Sequence, residues 1–308
     1  VLEAKSAVAG GETEHTTAHL AWVIDDRFSR LASIRGDDNA ALAAKSHQSA
    51  IDLIEEIVRR ERIGCDFRRV DGYLFAGADG PQAVRDELVA LARLVLACER
   101  VDRAPLPAGD TGPAIRFPDN GQFHPLKYLG ALAAAIRAKG GVIHTDTPVV
   151  KVDAGPPCVA HTRDGHTVTA GAVVVATNAP FDAGLALHVK QAAYNTYAVA
   201  LDVRPGEAPA ALFWDTEDPY HYVRGARDAA GNEYVVTGGE DHKTGQAHDQ
   251  EERWKRLEAW TRERFPRAGA VRHRWSGQVF ETPDGLGLIG RARDHLYAFG
   301  VHLEGEAA

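Results

Sequence analysis

Tyr220, Tyr222 and Arg224 alternate with His221 and Val223 along one short stretch of the chain. Successive side chains of an extended strand point to opposite faces, so the two phenols and the guanidinium share a side. Such a face can hold and orient a polar small molecule, which makes these three the candidate catalytic residues. The competing reading has the tyrosines packing a sheet and Arg224 paired with an exposed acid. A second candidate opens the chain. Val1-Leu2-Glu3 is an apolar strand ending in an acid, as the second strand of a dinucleotide-binding fold ends, where the carboxylate accepts hydrogen bonds from a ribose diol. The alternative is an arbitrary exposed terminus. A third is the run from Gly10 to Leu20, rich in small and hydroxyl residues. Its backbone N–H groups and threonine hydroxyls are able to approach a pyrophosphate or a ribityl chain.

Metal chemistry is weighed and set aside. His15 and His19 stand four residues apart, as two ligands on a helix would, but no third ligand accompanies them. Glu240-Asp241-His242 with His248 resembles a hard-metal cluster, yet Gly238-Gly239 and Gly245 mark a solvated turn. The expectation is no metal. No G-x-S-x-G, H-E-x-x-H or C-x-x-C run occurs, which leaves the usual hydrolase, zincin and thioredoxin chemistries without support. Rieske-type Cys/His pairs are also absent, so an iron–sulfur partner would reside on other sequence.

These residues need elements to hold them. Four stretches carry helical periodicity. They run from about Asn39 to Arg62, with Ile51, Ile54 and Val58 on one face; from Pro81, with Val84, Leu88, Leu91 and Val95; from His124-Pro125, with Leu126, Leu129, Leu132 and Ile136; and from Asp249 to Phe265. Asp249 with Glu252 three residues on has the pattern of a capping box. Strands are expected at Val142–Thr145, Val149–Val152, Val159–Thr162 and Thr167–Thr169, the last two flanking the hairpin signal Asp164-Gly165. Val173–Ala176 reads as a strand covered on both faces. Short aromatic-rich strands from Tyr194 to Thr237 form an antiparallel pattern.

At 308 residues the chain is long enough for one large domain or two interleaved ones. Its net charge of −8 excludes the basic footprint of a nucleic-acid or anionic-membrane binder. Its longest apolar runs fall far short of a membrane span. Cys65, Cys98 and Cys158 are too few and scattered for a disulfide framework, so free thiols in a reducing cytoplasm are expected.

The segments fall into a familiar order. After the Gly10–Leu20 loop come Ala176-Thr177-Asn178-Ala179-Pro180, then Trp275-Ser276-Gly277-Gln278, Thr282-Pro283-Asp284-Gly285-Leu286 and Ile289-Gly290. In this order and at these distances the chain resembles the D-amino-acid-oxidase/glycine-oxidase/sarcosine-oxidase class of flavoproteins, from Val1 to about Phe299. Gly121–Leu129, Tyr220–Arg224 and Gly238–Gly245 resemble a bacterial subgroup, some of whose members carry a C-terminal Rieske domain. The resemblance implies an α/β fold in which a Rossmann-like FAD-binding domain is interleaved with a mixed, antiparallel-sheet substrate domain. The FAD domain would take residues 1–37, 117–182 and 284–308, and the substrate domain 38–116 and 183–283. The cofactor implied is FAD. Glu3 would bind the adenosine ribose, Thr13, Thr16 and Thr17 would line the pyrophosphate and ribityl path, and Ala18 and His19 would approach the isoalloxazine. Val149 would meet the adenine through its backbone, and Ala176, Thr177 and Asn178 would form the turn abutting the flavin. The substrate implied is an amine or amino-acid-like molecule, with oxygen or an electron-transfer partner, such as a Rieske domain, as acceptor.

Departures accompany the resemblance. In this numbering Glu14-His15 stands where the subgroup usually shows Gly-Arg, replacing a cation with a carboxylate. Gln278–Glu281 lacks the arginine that usually clamps a substrate carboxylate, which favours an amine over a simple α-amino acid. The tail Val301–Ala308 lacks the small-residue turn of the family. Nothing precedes Glu3 to supply the glycine loop, and the chain holds no methionine, so that first strand and loop are expected upstream. The rival expectation is a non-catalytic remnant that keeps the substrate domain but does not retain FAD.

Overall fold

The computed structural model describes residues 1–77, 80–179, 181, 191–292 and 295–299. The expected departure at Val301–Ala308 lies outside them. Five helices are described: α1 (Phe28–Arg35), α2 (Asp37–Arg60), α3 (Gln82–Arg93), α4 (Pro125–Ala138) and α5 (Gln250–Arg264). Four of them answer to the periodic stretches, and α1 was not foreseen. Its reason is tertiary. Arg27, which precedes it, has a φ of 69°, and the buried Glu87 of α3 accepts hydrogen bonds from Phe28 N–H (2.8 Å) and Ser29 N–H (2.9 Å). A helix's first N–H groups have no partner within the helix, and here a carboxylate 58 residues away supplies one.

The main sheet joins nine strands: β1 (His19–Leu20), β2 (Arg68–Phe75), β3 (Glu99–Val101), β4 (Ala114–Gln122), β9 (Ala192–Val203), β10 (Leu212–Asp215), β11 (His221–Arg227), β12 (Glu233–Lys243) and β13 (Val271–Glu281). Their order is β1-β4-β2-β10-β11-β12-β9-β13, with β3 on β4. Every pairing is antiparallel except β10 with β2. One face carries Tyr197, Val199, Leu201, Phe213, Val223 and Val235 onto Leu257, Trp260 and Phe265 of α5 and its end. The opposite face is split. Helices α1–α3 cover its β2–β4 half through Phe28, Leu31, Ala40, Ile51, Val84 and Leu91. The remainder receives the segment that follows the N-terminus, and that is where the site forms.

Two smaller sheets complete the fold. β5 (Val149–Asp153), β6 (Cys158–Thr162) and β7 (Thr167–Ala170) make a meander, with Gly165 at φ 84° in the expected turn between β6 and β7. β8 (Val173–Ala176) runs parallel to β15 (His295–Phe299), which pairs antiparallel with β14 (Leu288–Ala292).

Several local expectations are corrected. Val142–Thr145 forms no strand; His144 makes a single parallel bridge to Leu2. Val174 is 61% exposed, so β8 is not covered on both faces among the described residues. Leu126 and Ile136 of the expected α4 stripe are exposed, and Val95 lies beyond the end of α3 at φ 56°. Asp249 makes no capping bond. Its carboxylate takes Arg253 Nε at 2.9 Å, because a charge-assisted bond four residues along outcompetes the backbone donor.

Candidate active site

The site begins with a tight 3-10 turn, Glu12–His15, that docks on β13. Glu12 Oε2 accepts from the Gln278 N–H at 2.7 Å, and Trp275 Nε1 donates to the His15 carbonyl at 2.7 Å. Thr13 lies within this turn. The chain then crosses the sheet face. Thr16 Oγ1 accepts from Ala18 N–H at 3.1 Å, and Ala18 takes a left-handed φ of 57° while buried. Such a conformation turns its carbonyl aside, towards Arg224 Nη1 at 2.7 Å. The same nitrogen donates to the Phe123 carbonyl at 3.2 Å, and Arg224 Nε donates to Gly225 O at 3.2 Å. Arg224 therefore ties the loop to the end of β4 and to its own strand. The reading that pairs it with an exposed acid does not hold, since its bonds go to backbone carbonyls. Burial, then the nearby Arg68 cation, pulls its guanidinium down to about 10.

His19 is held beside it. Its Nε2 lies 3.3 Å from the Val223 carbonyl and its Nδ1 3.3 Å from Thr17 Oγ1. A carbonyl only accepts, so Nε2 carries the proton and Nδ1 accepts from the threonine hydroxyl. Complete burial and then the Arg224 charge push the imidazole down to about 3, which keeps it neutral. Tyr222 meets its ring edge-on, with centroids 5.1 Å apart, and Tyr220 follows at 5.8 Å. A Cβ on Gly238 would stand 2.0 Å from the Tyr222 ring, so the facing strand must be glycine there. The structure thus brings Thr16, Thr17, Ala18, His19, Tyr222 and Arg224 into one contact group, with Tyr220 at its edge.

The other expected cofactor residues stand in two further groups. Glu3 N–H donates to His144 O (2.8 Å), Thr147 N–H donates to Glu3 O (2.8 Å), and Glu3 Oε1 accepts from Lys5 N–H (2.8 Å), leaving Oε2 available. Val149 opens β5 two residues beyond Thr147. Ala176 ends β8, and Thr177 Oγ1 donates to Ala179 O at 2.9 Å across a turn with Asn178 at φ 60°. Among the described residues no hydrogen bond or ring contact joins these groups to the His19 cluster. Glu3 and Thr177 each lie at the carboxyl end of a parallel pairing, the place where α/β folds bind nucleotides.

Tyr220 also lines a cleft of about 340 Å³ that was not anticipated. Its walls carry seven carboxylates (Asp25, Asp26, Asp215, Glu217, Asp218, Asp241, Glu281) against two arginines, with Tyr194, Trp214 and Tyr220 as aromatic surface. A small pocket lined by Asp25, Trp214, Tyr220, Tyr222 and His19 shares its first three residues with this cleft. The runs Asp25-Asp26 and Asp215–Asp218 were visible signals, but only folding shows that they meet. Behind the cleft, His221 is buried and stacked on Trp260 (4.6 Å), with Nδ1 2.9 Å from Asp215 Oδ2 and Nε2 3.8 Å from Glu240 Oε1. Burial pulls this imidazole down, but hydrogen bonding to Asp215 and Glu240 outweighs it, and His221 is pushed up to about 9. Asp215, Glu217 and His221 also have metal-ligand spacing, with ligand atoms within 4.8 Å of one another, and the protonated imidazole itself supplies the cation these carboxylates surround.

A nine-stranded, mostly antiparallel sheet with a buried loop on one face, and a separate sheet holding the parallel pair β8 and β15, make a mixed α/β fold. A family model for FAD dependent oxidoreductases, DAO, matches residues 1–305, and the chain belongs to that family. A protein of Bacillus subtilis (strain 168), YhfW, named as a Rieske 2Fe-2S iron-sulfur protein, is 27% identical over 292 residues, or 94% of this chain. The chain spans 57% of that relative's length. Glycine oxidase from Geobacillus kaustophilus superposes with a TM-score of 0.75 at 18% identity, covering 97% of this chain and 81% of that one. L-proline dehydrogenase from P. horikoshii gives 0.71 at 16%, covering 94% and 78%.

Proposed function

We propose that this chain is the greater part of an oxidoreductase that oxidises the C–N bond of an amine, which reaches the reaction centre through the acidic cleft. The observation that carries this reading is the excess of carboxylates over arginines around Tyr220, which also lines a small pocket with Tyr222 and His19. An amine enters such a cleft favourably as a cation, whereas a substrate carboxylate is repelled.

The residues present fit FAD. Glu3 keeps Oε2 for a ribose hydroxyl, Gly11 has open space around its Cα, and the Thr16–Ala18 bend offers a fixed polar edge. In this reading Glu3 holds the ribose, Thr13, Thr16 and Thr17 the pyrophosphate and ribityl chain, and Ala18 and His19 the ring. Val149 meets the adenine, and Ala176, Thr177 and Asn178 close the opposite edge. Bound FAD supplies hydride acceptance from the carbon next to nitrogen. The protein's part is orientation and proton control. Tyr220 and Tyr222 wall the route to the centre, the carboxylates draw in the amine, and neutral His19 adds no cation that would oppose it. Arg224 contributes by positioning, since its bonds go to the Ala18, Phe123 and Gly225 carbonyls. The proposed two-domain division places β4 across the boundary at residue 117, so that strand carries the chain from one domain to the other.

The acceptor is oxygen or an electron-transfer partner, and the Rieske name of the Bacillus relative supports the second. Three free thiols accord with a cytoplasmic location. Among the described residues no helix is long and apolar enough to cross a membrane. A second reading, a chain that does not retain FAD, is favoured by Glu14, whose carboxylate lines the same cavity as Thr16 and Thr17. One experiment separates the two. The chain is incubated with FAD and gel-filtered, then reduced anaerobically with benzylamine or glycine. Retained flavin that benzylamine bleaches faster than glycine supports the first reading; a colourless protein supports the second. Glu14→Gln is expected to raise FAD retention about threefold or more, measured by fluorescence quenching, because it removes a like charge from an anionic ligand's path.

A further inference from the structure

On the α5 face of the main sheet, away from the His19 loop, the helix ends at Arg264 and Phe265 packs beneath it. Past that end lies a cavity of about 390 Å³, with Phe265 in its wall. Its floor is Phe213 of β10 and Tyr73 of β2, register partners whose rings stack with centroids 5.4 Å apart and planes 16° from parallel. Two loops flank it, the β3–β4 loop through Pro105 and Pro107 and the β9–β10 loop through Pro209 and Ala210. Both loops are fixed by the fold. Ala108 N–H donates to Arg264 O at 3.0 Å, and Ala104 N–H to Thr111 Oγ1 at 2.8 Å. Glu233 Oε2 accepts from Gly206 N–H at 2.8 Å and from Ala208 N–H at 3.4 Å. Proline fixes φ as well, so a ligand meets a preformed wall at little ordering cost. The volume is that of a small-molecule site.

The charges that line this cavity have one sign. Asp71 and Glu207 are in its wall, and no cation is among the described lining residues. Asp71 is fully engaged, since Arg116 donates to it from Nε at 2.8 Å and from Nη2 at 3.1 Å. Glu207 is not. Its Oε1 meets Arg267 Nη2 at 2.8 Å, while its Oε2 accepts no hydrogen bond among the described residues. The Arg267 side chain is 65% exposed, so water screens that pair and a donor inside the cavity competes with it. An anion entering here meets a carboxylate and no cation. A cation meets an acceptor beside aromatic rings, whose faces attract positive charge.

We propose that this cavity binds a flat aromatic molecule carrying a cationic N–H group, such as an aryl amidine. Its ring lies against Tyr73 and the prolines, and its N–H group donates to Glu207 Oε2. An amidinium presents two parallel N–H bonds, which match a carboxylate as the fork of a guanidinium does. Aromatic contact with Tyr73 adds to the apolar burial. The site shares no lining residue with the acidic cleft or with the cavity that holds Thr16 and Thr17. It therefore stands whether or not the chain oxidises an amine.

The test is calorimetric titration of the 308-residue chain at neutral pH with benzamidine, benzamide and benzoate, which share a ring and differ in charge. Benzamidine is expected to bind about tenfold or more tighter than benzamide, because a charge-assisted hydrogen bond is roughly twice as strong as a neutral one. Benzoate is expected to bind weakest. Glu207→Gln is expected to weaken benzamidine by about tenfold. Arg267→Gln removes the competing cation and is expected to strengthen it by about threefold. Ala210→Trp, at an exposed loop position, fills the cavity and is expected to abolish binding without moving the unfolding midpoint. Equal affinity for benzamidine and benzamide overturns the proposal, as does tighter binding of benzoate or no binding by the folded chain. Indifference to Glu207→Gln or to Ala210→Trp also overturns it, since the amidine would then sit at another site. Benzamidine has no hydrogen on the carbon next to nitrogen and the titration uses no flavin, so a failure here and a failure of the oxidoreductase reading are seen separately.

Discussion

Two cavities of opposite character lie along strand β11. At its Tyr220 end the walls are carboxylate-rich; at its Arg224 end two guanidiniums face a cavity with their nearby acids engaged elsewhere. Two histidines report the difference. His221, among Asp215, Glu217 and Glu240, is pushed up to about 9, while His19, beside Arg224, is pushed down to about 3. Both are buried, so burial alone acts on them in the same direction. The sign of the neighbouring charge decides the outcome, and it reverses within one strand's length.

Replacing the central cation should break this contrast most severely. Arg224→Leu leaves the Ala18, Phe123 and Gly225 carbonyls without their donor, and is expected to cost about 3–5 kcal/mol in urea unfolding. A cost near zero would mean that the loop is held by other contacts.

The two histidines predict opposite limbs of a pH–stability profile. For His221 the folded value, about 9, exceeds the ordinary 6.5. Its contribution is therefore complete below pH 6.5 and is lost as pH rises to about 9, on the order of 3 kcal/mol in all. For His19 the folded value, about 3, lies under 6.5. The unfolded chain takes up a proton first as pH falls below 6.5, removing about 1.4 kcal/mol of stability per unit until about pH 3. Urea midpoints measured across pH should show His221→Gln flattening the alkaline limb and His19→Gln the acid limb. If either variant leaves its limb unchanged, the assigned environment is wrong.

Smaller effects sharpen the picture. Gly238→Ala drives a methyl into the Tyr222 ring and is expected to cost about 1–3 kcal/mol by thermal unfolding, with a change in tyrosine fluorescence. Asp249→Ala, which removes a half-exposed carboxylate paired with Arg253 and, at 3.7 Å, with Arg256 but no cap, should cost about 0.5–1 kcal/mol. A loss above 1 kcal/mol there would restore the capping role.

Much of the fold was legible in local patterns. The 3.6-residue stripes of α2, α3 and α5 and the alternation through β9–β12 follow from chain geometry, because each element must bury one face. The shared side of Tyr222 and Arg224 followed from the same alternation. Helix α1 was not legible, since Glu87 supplies its start from a distant helix. The stripe of α4 misled, because Leu126 and Ile136 meet solvent on one side of a helix whose neighbours cover only part of it.

What the sequence by itself determined is the class of element at each position, the family, and which residues carry usable hydroxyls, rings and charges. Only the tertiary structure decided which charges meet. Arg68 and Arg224 lie 156 positions apart, as do Asp25 and Glu281 by a greater distance, and no periodicity links them. Electrostatic character depends on distances of a few ångströms in a low-dielectric interior, and those distances exist only once the sheet has closed over the loop.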